Sequence, residues 1–501
     1  MTKRNQNILV SIKTVDQVNF LSGNFILKKD NKHGMLDYIR SFSHPALLIF
    51  SFFILIVLVS CSPKTRPVNV GVDTTEVFAA SGQNYAPKQW WTAFEDQQLN
   101  SLVDTALHSN FNLKTTWQRL QAAQAAVDRQ SSSFFPTLDA SASGEVSKYQ
   151  NQYIQNQSFR LGMSAGYEVD LWGRIQSRVE AERYRAKAAM SDYQTAAISL
   201  AAEITRTWYQ LIEARNQLEL VNEQVKTNTK VLDLIETRFG SGQIRSADIL
   251  RQRRLLESTR EQRIVAEKQV NLLEHKLAVL LGKAPQKAIK KSIDTLPKLP
   301  PLPKTGVPAD LIRRRPDVQA AYDRLMAADR DLAAAISNQY PRFSISASAS
   351  TSADNVESLF KDWARTLGGN LLAPIFYGGR LRAEVDQSES IRKQRLFEYV
   401  QTILNAFREV EDALVQEQKQ VEKIQSIREQ VKLAKQTYKQ LRIEYFNGMG
   451  GYLDVLTALD EVQRLQRNLI SAHLNLLEYR IALYRSIAGR FETHREQSKT
   501  N

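Results

Sequence analysis

The sequence predicts a mixed α+β chain in which one unit, two strands followed by a very long helical hairpin, is written twice. Three observations carry that prediction. First, residues 135–282 return at 340–489: Phe135-Pro136-Thr137-Leu138 reappears as Tyr340-Pro341-Arg342-Phe343, and Gly173-Arg174-Ile175 as Gly379-Arg380-Leu381. Gly242, Asp248 and Leu250 reappear as Gly448, Asp454 and Leu456 with unchanged internal spacing. Second, each copy holds two runs of alternating polarity. Third, Arg174–Arg238 contains neither proline nor glycine, and apolar residues recur in it every seven positions. A repeated unit this long implies structurally equivalent halves.

Bulk composition narrows the class. With 43% hydrophobic and 24% charged residues among 501, the chain is neither disordered nor a polytopic helical membrane protein. The net charge is +14, and residues 1–60 hold seven Lys/Arg against three Asp, which leaves a surplus of ten on the remainder. Those basic residues are spread among Glu and Gln on helical faces. No dense basic run with interleaved aromatics appears, so nucleic acid is not an expected partner.

Residues 1–60 read as a leader. Arg40 precedes the apolar run Ala46–Val59, and Ser60 follows, the basic–apolar–small order of a secretory signal. The run is too short for a membrane span, and Met35 offers a second start. Cys61 is the sole cysteine, which excludes an intramolecular disulfide. It ends Leu58-Val59-Ser60-Cys61, where a bacterial lipobox places its lipid-accepting residue, so Cys61 is the expected lipidation site. Acyl chains such as palmitate would then anchor it, each buried methylene contributing about 0.8 kcal/mol. The plainer alternative is an ordinary signal peptide with an incidental cysteine. Residues 61–84, with Pro63, Pro67, Gly71 and Gly82, read as a tether.

The first unit is placed at 85–282. Leu138, Ala140, Ala142 and Val146 alternate with Asp139, Ser141, Ser143 and Glu145, and a second run alternates from Phe159 to Val169. In the second unit, 308–490, Phe343, Ile345, Ala347 and Ala349 alternate with serines, and a weaker run spans Leu367–Ile375. Such patterning marks strands with one apolar and one polar face. It suits an outer-membrane barrel strand and also a soluble sandwich edge. The polar connectors 148–157 and 353–362 are the expected loops.

The helices follow each strand pair. The 65 residues Arg174–Arg238 would span about 98 Å. Leu211, Leu218, Val225, Leu232 and Phe239 form a heptad row, extended by Ile204 and Trp208. In the second unit Ile424, Val431, Tyr438 and Tyr445 form its counterpart, continued upstream by Ile403, Phe407, Val410, Leu414 and Val421. Heptad rows indicate coiled-coil packing. Glycine-bearing turns at 239–242 and 446–451 then reverse the chain into return helices, about 246–281 and 452–489. A Pro-rich linker, 283–307, joins the units, and 491–501 is a C-terminal tail.

Closure discriminates between readings. Four strands cannot close a membrane barrel, and open edges in a bilayer leave backbone groups without partners. If these strands span a membrane, several chains must share one barrel, because the smallest membrane barrels need about eight strands. The alternative is a lipid-tethered periplasmic helical scaffold with a small β cap.

Over residues 85–490 the chain resembles the outer-membrane factors of tripartite efflux and secretion systems, the TolC-like channels. It is most similar to the lipoprotein branch serving resistance-nodulation-division (RND) pumps. The strings that carry the resemblance are Trp90-Trp91-Thr92-Ala93-Phe94-Glu95-Asp96, Leu311-Ile312-Arg313-Arg314-Arg315-Pro316-Asp317-Val318, and Tyr445-Phe446-Asn447-Gly448 with Leu453-Asp454-Val455-Leu456. The resemblance implies a homotrimer with twelve strands, four per chain, in one outer-membrane barrel above a periplasmic α-helical tunnel. It also implies passive conduction, with a periplasmic adaptor (a membrane fusion protein) and an inner-membrane RND pump as partners. A duct for type I protein secretion is the alternative within the family.

The same resemblance implies the sites. Gly242 and Gly448 fall at hairpin turns that would meet the adaptor, although both are also what a tight turn requires. Asp454 matches an acidic position at the periplasmic gate, and Asp248 is its counterpart in the first hairpin. The plainer reading makes such an Asp a cap of the returning helix. One turn on, where a second gate acid would lie, the chain has Thr457. Arg313, Arg314 and Asp317 are expected to pair or cap at a helix start. No catalytic constellation is present, and the six histidines form no metal set, so neither enzyme activity nor a cofactor is expected.

Overall fold

A computed structural model describes residues 78–148, 155–285, 295–306 and 308–496. The leader, Cys61 and the tether as far as residue 77 lie outside the described residues, as do 149–154, 286–294, 307 and 497–501. After a 3₁₀ turn at Trp90–Phe94 come α1 (Gln97–Ser109) and α2 (Phe111–Ser131), then β1 (Thr137–Lys148), β2 (Gln155–Val169), α3 (Arg174–Gly240) and α4 (Ser246–Leu280). The second half repeats the plan with α5 (Pro308–Arg314), α6 (Pro316–Ser337), β3 (Arg342–Ala353), β4 (Ala364–Leu372), α7 (Arg380–Phe446) and α8 (Tyr452–Ile487). Helices α3 and α7 are each 67 residues, about 100 Å long.

The strands form one antiparallel sheet in the order β1-β2-β3-β4. Leu138 pairs with Ala165, Tyr167 with Ile345, and Ala347 with Leu367, so apolar side chains share one face. Asp139 pairs with Ser164 and Glu168 with Ser344 on the other face, which is mostly serine and glycine. Among the described residues the apolar face is largely uncovered, Leu367 being 80% and Leu138 68% exposed, except where Leu359 folds over Thr351. Among the described residues β1 and β4 each pair on one side only. No described helix is long and apolar enough to cross a membrane, which says nothing of a barrel.

Each strand runs on into a helix, so the helices follow the sheet order: α2 packs on α3, α3 on α6, and α6 on α7. The Trp90-Trp91 string is the heart of the main core. Trp90 stacks on Tyr484, Trp91 meets Phe491 edge-on, and Phe94 leans on Tyr209. Asp96 caps α1 by accepting from the Leu99 N–H (2.9 Å), and its other oxygen accepts from the Trp208 indole (2.8 Å). The cluster therefore clamps the chain's opening segment onto α3 and α8.

Fully buried Arg480 makes a second fastening. It binds Glu417 of α7 through two bonds (2.7 and 2.6 Å) and donates to the carbonyls of Pro300 and Pro301 (2.8 Å to the latter). The linker is thereby held on the α7–α8 hairpin. Residues 80–84 lie along it: the Gly82 N–H donates to the Pro303 carbonyl (3.0 Å) and the Lys304 N–H to that of Asn84 (2.7 Å).

Three expectations are corrected. The row Leu218, Val225, Leu232 and Phe239 is only half-buried or exposed; the buried row of α3 is Ala214, Val221, Asn228 and Ile235. The two rows lie three or four positions apart, the a and d positions of one heptad seam. Within one chain, α8 and α4 cover only the second of them. In α7, Val421 likewise faces solvent. The fourth strand begins earlier than expected and ends at Leu372, leaving Ala373 and Ile375 outside it. Pro374 lies two residues beyond, and without an N–H it cannot extend the ladder.

Candidate functional site

The two hairpin ends carry most of the candidate residues. Helix α3 ends with Gly242 at φ +74°, and the Gln243 N–H donates back to the Arg238 carbonyl (3.0 Å). Helix α7 ends the same way, with Gly448 at φ +77° and the Met449 N–H donating to the Glu444 carbonyl (2.9 Å). These are six-to-one closures on a left-handed glycine. A Cβ at either glycine would meet nothing within 4 Å, so conformation rather than crowding requires them, and both turns are open to an approaching backbone.

Asp248 and Asp454 hold the same register, each third in its helix, but differ in surroundings. Asp248 is 5% exposed and accepts from the Arg251 guanidinium (3.0 Å), with Arg245 at 3.8 Å. Asp454 is exposed, and no described side chain pairs with it. Neither is a cap. The residues at the cap positions are Arg245 and Gly451, and neither helix has a side-chain cap bond. The capping reading is therefore corrected; both carboxylates still benefit from the positive end of the helix dipole. Thr457 turns its hydroxyl onto the Leu453 carbonyl (2.9 Å) and adds no charge.

Sequence reasoning missed what joins the hairpins. Arg238, at the end of α3, lies over the rings of Tyr445 and Phe446 (5.4 and 4.6 Å) and ties the two turns together. Above it, neutral polar groups bridge α3, α4 and α8. The Tyr452 hydroxyl donates to Gln252 (2.6 Å), whose amide donates to the Asn228 carbonyl (2.8 Å). Asn228 and Gln463 exchange amide bonds (3.2 and 2.9 Å), and Asn228 also donates to Thr259 (2.8 Å). Gln224 and Arg467 continue the ladder upward (2.6 Å). Burial, then the neighbouring Tyr445, Tyr438 and Asp248, raise the Tyr452 hydroxyl, which keeps its proton for Gln252. The only hint in the sequence was polar Asn228 at a heptad position.

At the helix start near residue 315 the structure redistributes the expected roles. Arg315 is the buried arginine, bonded to Asp317 (2.5 Å), to Glu409 (2.9 Å) and to the Ser486 carbonyl (3.1 Å). Burial opposes ionisation of Asp317, but the Arg315 guanidinium wins and holds the carboxyl below its ordinary value. Arg314 lies over the Tyr85 ring at 4.9 Å, and Arg313 is exposed. Asp317 pairs at the helix start as expected, but its partner is Arg315; the pairing or capping expected of Arg313 and Arg314 is corrected, since Arg313 is exposed and Arg314 lies over a ring. Among the described residues no group of His, Cys, Asp and Glu could hold a metal.

An open, apolar-faced sheet continued by two long helical hairpins is shared with known proteins. The family model described as "Outer membrane efflux protein" matches residues 102–283 and 307–489. The pyoverdine export outer membrane protein OpmQ of Pseudomonas aeruginosa is 28% identical over 460 residues, covering 88% of this chain and 96% of that protein. The cation efflux system protein CusC of Escherichia coli is 26% identical over 460 residues, covering 88% and 98%. Among solved structures, the outer-membrane channel OprN superposes with a TM-score of 0.78 at 27% identity, covering 86% of this chain and 99% of that one.

Proposed function

The chain belongs to the outer membrane efflux protein family, the outer-membrane channels of tripartite efflux pumps, and from that premise we propose how three copies build the duct. The sheet with two unpaired edges carries this reading. Two copies would supply eight strands, whose interior side chains nearly fill. Three supply twelve and leave a lumen. The exposed apolar face would then meet lipid and the serine-rich face water. Apolar side chains left exposed on α4 (Ile264, Leu272, Val279) and α7 (Phe397, Leu404, Leu433) support the same assembly, since unpartnered apolar rows mark interfaces.

The protein is a conduit and not an enzyme, so driving force must enter elsewhere. An inner-membrane RND pump and a periplasmic adaptor are the proposed partners, the adaptor meeting the open turns at Gly242 and Gly448. Cys61 is the proposed lipid anchor. Exposed, unpaired Asp454 is the proposed gate acid, three of which would form a carboxylate ring. Buried Asp248 would instead hold the first hairpin in shape. The relatives' names include pyoverdine export, toluene efflux and cation efflux at similar identity. We take cargo choice to lie chiefly in the pump.

Planar-bilayer recording tests the proposal. Full-length protein should give discrete conductance steps, and Asp454→Ala should raise the resting conductance severalfold by removing the ring. Properly folded protein that opens no pore would sink the channel model. A pore indifferent to Asp454→Ala would remove Asp454 from the gate.

A further inference from the structure

The polar face of the sheet carries few charges, and at its helix-side end Asp139 and Glu168 are outnumbered by Arg174, Arg178 and Arg342. Glu168 lies on that face, opposite Ser344. Arg174, in the first turn of α3, grips Glu168 through two bonds (3.1 and 2.7 Å), which fixes this side of α3 as the continuation of the polar face. Arg178 stands one turn further along the same side, and Arg342 begins β3 beside it, donating to Asn338 (3.1 Å). Arg178 is exposed and has no carboxylate within hydrogen-bonding distance, because Asp331 is taken by Arg185. The N–H groups of the helix start are already occupied, Asp170 accepting from Ile175 (3.0 Å) and Gln176 (2.7 Å).

A neighbouring copy cannot cover this place. Strands β2 and β3 are the inner strands of the sheet, and α3 packs between α2 and α6 of its own chain. An exposed side chain here faces either the lumen or the outside, and the Arg174–Glu168 pair puts it on the lumen side. We propose that Arg178, flanked by Arg174 and Arg342, forms a basic collar where barrel meets tunnel, an anion-contact site for cargo bearing carboxylate or phosphate groups. The electrostatics agree: partial desolvation by the surrounding wall, then repulsion from Arg174 and Arg342, outweighs attraction by Glu168 and Asp331 and pushes the exposed Arg178 guanidinium below its ordinary value, so a passing anion would relieve that crowding. Three chains give a ring of unpaired Arg178 guanidiniums in a wall rich in serine and glycine, where Glu168 is already held by Arg174, and charged rings of this kind set selectivity in pores. The site rests on the channel reading but not on the gate.

Reversal potentials across a bilayer under a potassium chloride gradient test it, with full-length wild type, Arg178→Gln, Arg178→Glu and Arg178→Lys. The chloride-to-potassium permeability ratio should fall severalfold in Arg178→Gln, as for a loss of about one kT of wall potential acting oppositely on the two ions. It should fall further in Arg178→Glu and stay near wild type in Arg178→Lys, a pattern that lost packing would not give. A ratio unchanged in the Gln and Glu variants, with conductance intact, overturns the collar. A wild type that opens no pore overturns the channel itself, and the collar with it.

Discussion

Arg480 shows how one side chain can hold three segments that the sequence keeps far apart. Its partners are Glu417 on α7 and the carbonyls of Pro300 and Pro301 in the linker, and it is only 2% exposed. Breaking a buried pair leaves one charge stranded, which typically costs about 3–5 kcal/mol, whereas an apolar replacement of both partners is often neutral. Glu417→Ala should therefore lower the thermal midpoint, followed by the helical circular dichroism signal, far more than Arg480→Met with Glu417→Leu. The double variant should still lose about 1–3 kcal/mol, because the proline carbonyls lose their donor. Equal losses in the two proteins would refute this account. Nothing in the sequence singles out Arg480 among the 67 Lys and Arg, since its partners become neighbours only after folding. Arg315 was hidden similarly behind Arg313 and Arg314, and only burial told the three apart.

Among the elements, long helices and strands were readable because local chemistry dictates them. A stretch without glycine or proline has nothing to end it, and α3 runs from Arg174 to Gly240 as that rule requires. Strand β4 was misjudged because Gly368-Gly369 and Leu371-Leu372 blur the alternation that reveals its faces. The choice of heptad row depends on which neighbours cover the helix, and that is tertiary information. The polar ladder belongs to this scale too. Below the Arg467–Gln224 rung it joins α8 to the first hairpin by neutral hydrogen bonds, each worth about 0.5–1.5 kcal/mol net. A cavity of about 490 Å³, lined by Glu213, Gln217, Val265, Arg467 and Ser471, brings solvent to its upper end. A seam of this kind can part when water competes, as an apolar seam cannot. Asn228→Asp with Gln463→Glu should push the hairpins apart and raise resting conductance. Asn228→Leu with Gln463→Leu should keep the pore shut. Matching conductance in both variants would show that α8 does not part here.

For the whole molecule, the duplicated plan was legible in full and the assembly only by argument. Closure follows from counting strands against what a barrel needs, and the open edges of β1 and β4 are the observation behind it. If lipid at Cys61 only tethers the chain and the barrel does the holding, Cys61→Ala should remain in the outer-membrane fraction and resist extraction without detergent. Its recovery as a soluble monomer would return the chain to the scaffold reading.

The inequality between Asp248 and Asp454 bears on how such a chain can change over generations. A substitution at Asp248 removes a buried carboxylate from its arginine partners and costs folding stability. The same substitution at Asp454, the proposed gate acid, disturbs no side-chain partner among the described residues and would bear on permeation instead. Duplication has thus left one turn bound to the structure and its twin at liberty to drift, so that, if Asp454 gates the duct, new permeation properties could be acquired at the second without weakening the first.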